Sequence, residues 1–137
     1  MSKKQKTPLQ KYLSEPLPPY RRGSSDCVAF VAGWVNVICP ENIITLLPKT
    51  FGDVVRLLRE KTLIEQVNEH LECRGFLDTS TPTNGDVVVF ECEDALNGQA
   101  VGIVSEDKVV TRMEGEKLFV ESNPKILKAW KFTLSTS

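Results

Sequence analysis

The sequence predicts an α+β domain: N-terminal helices packed on a C-terminal antiparallel β-sheet, preceded by an extended N-terminal arm. Three observations carry this. Apolar residues at helical spacing are confined to residues 26–74. Short β-branched runs separated by turn residues follow from residue 86 onward. The first 22 residues are polar, basic and proline-rich, and carry neither pattern. Helices first and a meander of strands afterwards place the helices on one face of the sheet. Residues 1–22 are therefore read as an arm and residues 23–137 as a single domain.

Composition bounds the function classes. A chain of 137 residues is one domain, long enough to bury a core. Its 41 % hydrophobic and 26 % charged residues are ordinary for a soluble globular protein. The formal net charge of −1 leaves no excess cation for phosphates, which argues against a general nucleic-acid or anionic-membrane partner. A local basic cluster (Lys3, Lys4, Lys6, Lys11, Arg21, Arg22) reads as a solvated tail. No apolar run approaches the ~20 residues needed to span a bilayer. The basic N-terminus has no apolar stretch after it, so it is not read as a secretory signal. Cys27, Cys39, Cys73 and Cys92 are widely spaced and form no C-x-x-C pair. Free thiols are expected, with no metal site and no cofactor.

The elements follow in order. The arm contains Pro8, Pro16, Pro18 and Pro19, with a short turn of helix near residues 9–13. Its apolar members, Leu9, Tyr12, Leu13, Leu17 and Tyr20, point to docking on a partner or on the domain's own surface. The first helix is expected over residues 26–37, capped by Ser24 or Ser25. Cys27, Phe30, Val31, Trp34, Val35 and Ile38 share one face, and Pro40 ends the run. Thr50-Phe51-Gly52-Asp53 opens a second helix through Lys61. Thr62-Leu63-Ile64-Glu65 is a cleaner capping box and starts a third, with Gly75 as its stop. Strands are expected over residues 86–91, 100–105, 108–113, 117–121 and 126–134. Turns at Glu106-Asp107 and Glu114-Gly115-Glu116 join three of them.

Cys27 is the residue through which chemistry enters. It lies in Ser24-Ser25-Asp26-Cys27, where the first helix begins. A thiol at a helix N-terminus feels the positive end of the macrodipole, which favours the thiolate. A cysteine hydrolase also needs a base to pass protons and a group to orient that base. Cys27 fits the first requirement. It is equally in register with Phe30, Val31 and Trp34, and free cysteine is among the most buried residue types. Nucleophile and core residue both stand as readings. The one histidine, His70, lies at the margin of the third helix's stripe. It reaches Cys27 only if that helix crosses the active face. Asp86 and Glu91 read as a turn acceptor and a solvent-facing charge, Trp34 and Trp130 as core aromatics.

The order of short motifs carries a resemblance. Asp26-Cys27-Val28-Ala29-Phe30-Val31 precedes the helices. Gly85-Asp86-Val87-Val88-Val89-Phe90, then Ala100-Val101-Gly102-Ile103-Val104, then Ala129-Trp130-Lys131 follow. The chain resembles the NlpC-type cell-wall peptidases of the papain-like superfamily. More narrowly, it resembles a small NlpC-like family encoded among tailed-phage tail genes. The likeness covers about residues 20–133. It implies a papain-like fold with Cys27 at the nucleophile position, Asp26 as its preceding acid and Gly85-Asp86 as the turn into the central strand. The family's catalytic histidine falls at Ala100, and alanine cannot move a proton. Val28-Ala29 stand where the enzymes carry small residues and would crowd the cleft.

The narrower resemblance implies a structural component of a phage tail tip or baseplate, docked on a tail hub or distal tail protein. It also implies synthesis in the host cytoplasm and residence in the virion. The alternative is an active papain-like amidase or endopeptidase that cuts peptidoglycan with Cys27, its base drawn from His70, a partner chain or water.

Overall fold

A computed structural model gives the fold. It describes residues 7–20, 26–39, 51–93, 95, 98–113 and 117–132. The basic residues Lys3, Lys4, Lys6, Arg21 and Arg22 lie outside these. So do the caps at Ser24, Ser25 and Thr50, the stop at Pro40, the turn at residues 114–116 and residues 133–134. The architecture is α+β, with N-terminal helices packed on a six-stranded antiparallel sheet.

Helix α1 (Pro8–Leu13) starts on a full capping box. Thr7 Oγ1 accepts the Gln10 N–H, and Gln10 Oε1 accepts the Thr7 N–H, with Pro8 at the first helical position. The N-terminal segment is thus helical here and lies on its own domain. Leu9 is buried in the main core, and Tyr12 and Leu13 pack against it.

Helix α2 (Cys27–Ile38) buries Phe30, Val31, Ala32, Trp34 and Val35, the stripe its spacing predicts. The cap differs from expectation. Asp26, one residue beyond the expected serines, stands at the N-cap, and its Oδ1 accepts the Ala29 N–H at 3.1 Å. Ser, Ser and Asp all offer a capping oxygen, and only the chain path decides which residue turns extended. Helix α3 (Phe51–Glu60) follows. Helix α4 (Leu63–Glu72) begins on the expected box, with Thr62 and Glu65 exchanging N–H bonds of 3.1 Å. Its Leu63, Val67 and Leu71 are buried.

The strands are β1 (Phe76–Asp78), β2 (Val87–Glu91), β3 (Gln99–Ser105), β4 (Lys108–Thr111), β5 (Phe119–Glu121) and β6 (Ile126–Phe132). Their order across the sheet is β1-β6-β2-β3-β4-β5. The last strand thus returns to sit between β1 and β2. Strand β1 was not expected from the sequence. Three residues are too short to show a period-2 pattern, and pairing of Phe76 with Phe132 holds it in place, rings 5.0 Å apart.

Strict alternation gives the sheet two packed faces. Val87, Val89, Val101, Ile103, Val110 and Trp130 face the helices. Val88, Phe90, Ala100, Val104, Val109 and Ala129 form a second cluster with Cys92. Two indole N–H groups tie the layers together. Trp34 Nε1 donates to the Gly85 carbonyl at 2.7 Å, and Trp130 Nε1 donates to Asn68 Oδ1 at 2.9 Å. Gly85 holds φ at +91°, and Trp34 lies so close that a Cβ would meet its ring at 3.3 Å. A side chain there would be strained twice over, which explains the glycine before the central strand.

Candidate functional site

Cys27 occupies the first turn of α2 and touches both clusters, so its thiol sits where the helix start meets the sheet. The backbone amides of Val101 and Val28 approach the sulfur and favour its ionised form. They are outweighed. Burial, then the neighbouring Asp26 carboxylate, push the thiol up to about 12, with Cys92 adding in the same direction. The expectation of a dipole-lowered thiol is thereby reversed. Asp26 caps the helix, so a negative charge stands at the terminus whose positive end was to act on the sulfur. At neutral pH the raised value keeps the sulfur as the thiol.

Among the described residues no imidazole acts on Cys27. Ala100 is fully buried in the second cluster, opposite Phe90 in the β2–β3 register. His70 is on α4, half-buried, in surroundings of its own. Burial lowers its pKa, Arg74 and Lys61 push the same way, and Glu69 opposes them. None of these charges acts on Cys27, whose charged and thiol neighbours are Asp26 and Cys92. The structure therefore does not bring His70 and Cys27 together as acid–base partners.

Asp86 serves as the turn acceptor. Its Oδ2 accepts the Thr83 N–H at 2.8 Å and meets Lys131 Nζ at 2.8 Å. Glu91 is exposed and meets Lys125. Trp34 and Trp130 are core residues.

The arm residues divide. Leu9 is buried, and Tyr12 and Leu13 are half-buried against α2 and the core. Leu17 and Tyr20 are half-buried farther along, and Tyr20 lies over the Arg112 guanidinium, 5.8 Å from ring centroid to Cζ. Among the described residues no group of three or more His, Cys, Asp or Glu side chains is placed to hold a metal. No helix among them is long and apolar enough to cross a membrane.

Neither Cys92 nor Arg112 carries a local signal of its place in the fold. Cys92 ends the β2 run, and its nearness to Cys27 depends on how β2 pairs with β3. Arg112 follows Val109-Val110-Thr111, and a charge just after such a run reads as the strand's exit to solvent.

A family model described as a domain of unknown function, DUF6950, matches residues 2–132. The chain belongs to the DUF6950 family. Neither the curated proteins nor the solved structures gave a match. The DUF6950 match begins at residue 2, so the N-terminal segment belongs to the unit the family shares. That agrees with Leu9 lying in the main core.

Proposed function

We propose that this chain is a non-catalytic structural component of a tailed-phage tail tip or baseplate. In this reading a peptidase-like body docks on a tail hub or distal tail protein. One observation supports it above the others: the cysteine that the resemblance puts at the nucleophile position packs against both core clusters beside Asp26, which push its thiol up, and a fully buried alanine stands where the resemblance puts the base. The phage assignment itself rests on the motif resemblance. The alternative, a cysteine amidase or endopeptidase on peptidoglycan, needs a thiolate and a proton acceptor. The surroundings of Cys27 disfavour the first, and His70, the one imidazole in the chain, does not act on Cys27.

Two measurements test the reading. Purified protein incubated with peptidoglycan should release no muropeptides beyond a Cys27→Ala control. Cysteine-dependent release would establish the enzyme instead. Mass spectrometry of tails purified from phage that encode the chain should find it at fixed stoichiometry. Its absence from assembled tails would remove the structural role.

A further inference from the structure

Arg112 is only 3 % exposed, yet its Nε and Nη1 have no hydrogen-bond partner among the described residues. A guanidinium stays charged at every accessible pH and carries five donors. Burying one without an anion is strongly unfavourable, so buried charges in proteins are paired. None of the ion pairs described here engages it; the acids at 53, 69, 78, 86 and 91 are matched to other cations. What it does have is the Tyr20 ring, 5.8 Å from its Cζ. Contact through a ring face leaves a guanidinium's in-plane donors unused.

Its place in the fold is set by alternation. Val110 faces the helices and Val109 the second cluster, and Met113 packs against that second cluster too. Residue 112 therefore points to the helix side, next to α2. Continuing the β3–β4 register sets it across from Val101, the residue whose amide approaches Cys27. Thr111 Oγ1 donates to the Val101 carbonyl at 2.6 Å and fixes the strand there.

We propose that Arg112, covered by Tyr20, is the seat of a carboxylate ligand. This goes beyond the structural reading above and does not depend on it. The charge count selects the ligand class. One buried cation is neutralised by one carboxylate, whereas a phosphate dianion would leave a buried negative charge. A planar carboxylate also matches the planar guanidinium. The carboxylate is that of a free small acid or of a peptide terminus, both presenting the same two oxygens.

The test is a thermal-shift titration of the full chain at constant ionic strength, chloride serving as reference. Its arms are acetate, N-acetylalanine, N-acetylalanine amide and phosphate. The expected result is a saturable rise in Tm with acetate and N-acetylalanine, and none with the amide or phosphate. N-acetylalanine binding more tightly than acetate assigns the site to a peptide terminus; the reverse assigns it to a small acid. Arg112→Met, which replaces the buried charge with an apolar chain of similar length, should fold and bind at least roughly tenfold more weakly. An equal response in the variant, or no saturable response in the parent protein, overturns the proposal. Should Arg112→Met fail to fold, the Arg112 Nε–H resonance of the parent protein decides. A shift with acetate but not chloride supports the site, and an unmoved resonance refutes it.

Discussion

The Tyr12 hydroxyl donates a 2.5 Å hydrogen bond to the Phe30 carbonyl and rests on the backbone of α2 at Gly33. Its ring lies 5.3 Å from Phe30 and 5.9 Å from Trp34. This pins α1 to the helix that carries Cys27. A Cβ at Gly33 would collide with that hydroxyl. Gly33→Ala should gain up to about 1 kcal/mol of helix propensity and lose about 1–3 kcal/mol to overpacking. Net destabilisation is expected, with α1 the first element released. Urea unfolding gives the sign, and limited proteolysis should cut between α1 and α2 sooner than in the parent protein. Gly33→Ala more stable than the parent, with α1 still protected, would show that Tyr12 is not seated there.

The same contact sets a pH response. Burial, and then Glu15, raise the Tyr12 phenol to about 12 from 10.0. The folded state keeps that proton where the unfolded chain loses it. The associated stability is whole below pH 10 and is lost as the pH climbs toward 12. Tyr12→Phe should cost about 1 kcal/mol at pH 7 and flatten the fall in stability above pH 10. Parallel denaturation curves at pH 8 and pH 11 check both parts.

Cys27 yields a sharper version of that argument. Its thiol stands at about 12 against an ordinary 9.0, burial being the main cause and Asp26 the next. Stability from the retained proton is complete below pH 9 and drains between pH 9 and 12. Cys27→Ala should therefore lose less stability than the parent across that window. Thiol labelling at pH 7 should modify exposed Cys73 first, half-buried Cys27 much more slowly because its thiol stays protonated, and buried Cys39 and Cys92 only on unfolding. Rapid labelling of native Cys27 near neutral pH would contradict the raised value and reopen the enzymatic reading.

The parts of this fold that could be read in advance are those whose code is local. The Thr62-Leu63-Ile64-Glu65 box needs only four residues to define the start of α4, and the structure forms it. The β2 and β3 runs are dense enough in valine to exclude helix, and their buried faces follow. Strand β1 failed the same reading because its stability comes from β6, at the far end of the chain. The choice between nucleophile and core residue at Cys27 stayed open for a related reason. The thiol's state depends on Val101 and Cys92, which only the β2–β3 pairing brings near. A helix-start cysteine looks activated until the capping Asp26 and the apolar sheet beneath it are counted.

The turn between β3 and β4 offers a stabilising change. Glu106 and Asp107 both hold positive φ, 52° and 67°, the conformation of a two-residue hairpin that prefers Asn-Gly. The double substitution Glu106→Asn with Asp107→Gly relieves two left-handed residues. It keeps the Glu106 N–H bond to Asn84 Oδ1, because that donor is backbone. A gain of about 0.5–1 kcal/mol is expected despite the entropy that glycine adds to the unfolded chain. A lowered urea midpoint would mean that those two side chains hold the turn in some other way.

Putting histidine at position 100 tests whether a missing base alone would account for the non-catalytic role proposed above. If loss of the base were the sole obstacle, Ala100→His would restore proton transfer to Cys27. The packing argues otherwise. Ala100 is fully buried against Phe90 and Cys92, and an imidazole there must displace a close-packed neighbour and find a polar partner. Overpacking costs about 1–3 kcal/mol, and an unsatisfied ring nitrogen a further 1–3 kcal/mol or so. The variant should show a lowered Tm and no cysteine-dependent release from peptidoglycan. The Cys27 thiol would stay protonated, since burial and Asp26 act on it whether or not an imidazole is present. Cleavage gained by Ala100→His and abolished by adding Cys27→Ala would locate the defect in one missing side chain. Its absence in a folded variant would mean that the whole neighbourhood of the cysteine has been rebuilt as core.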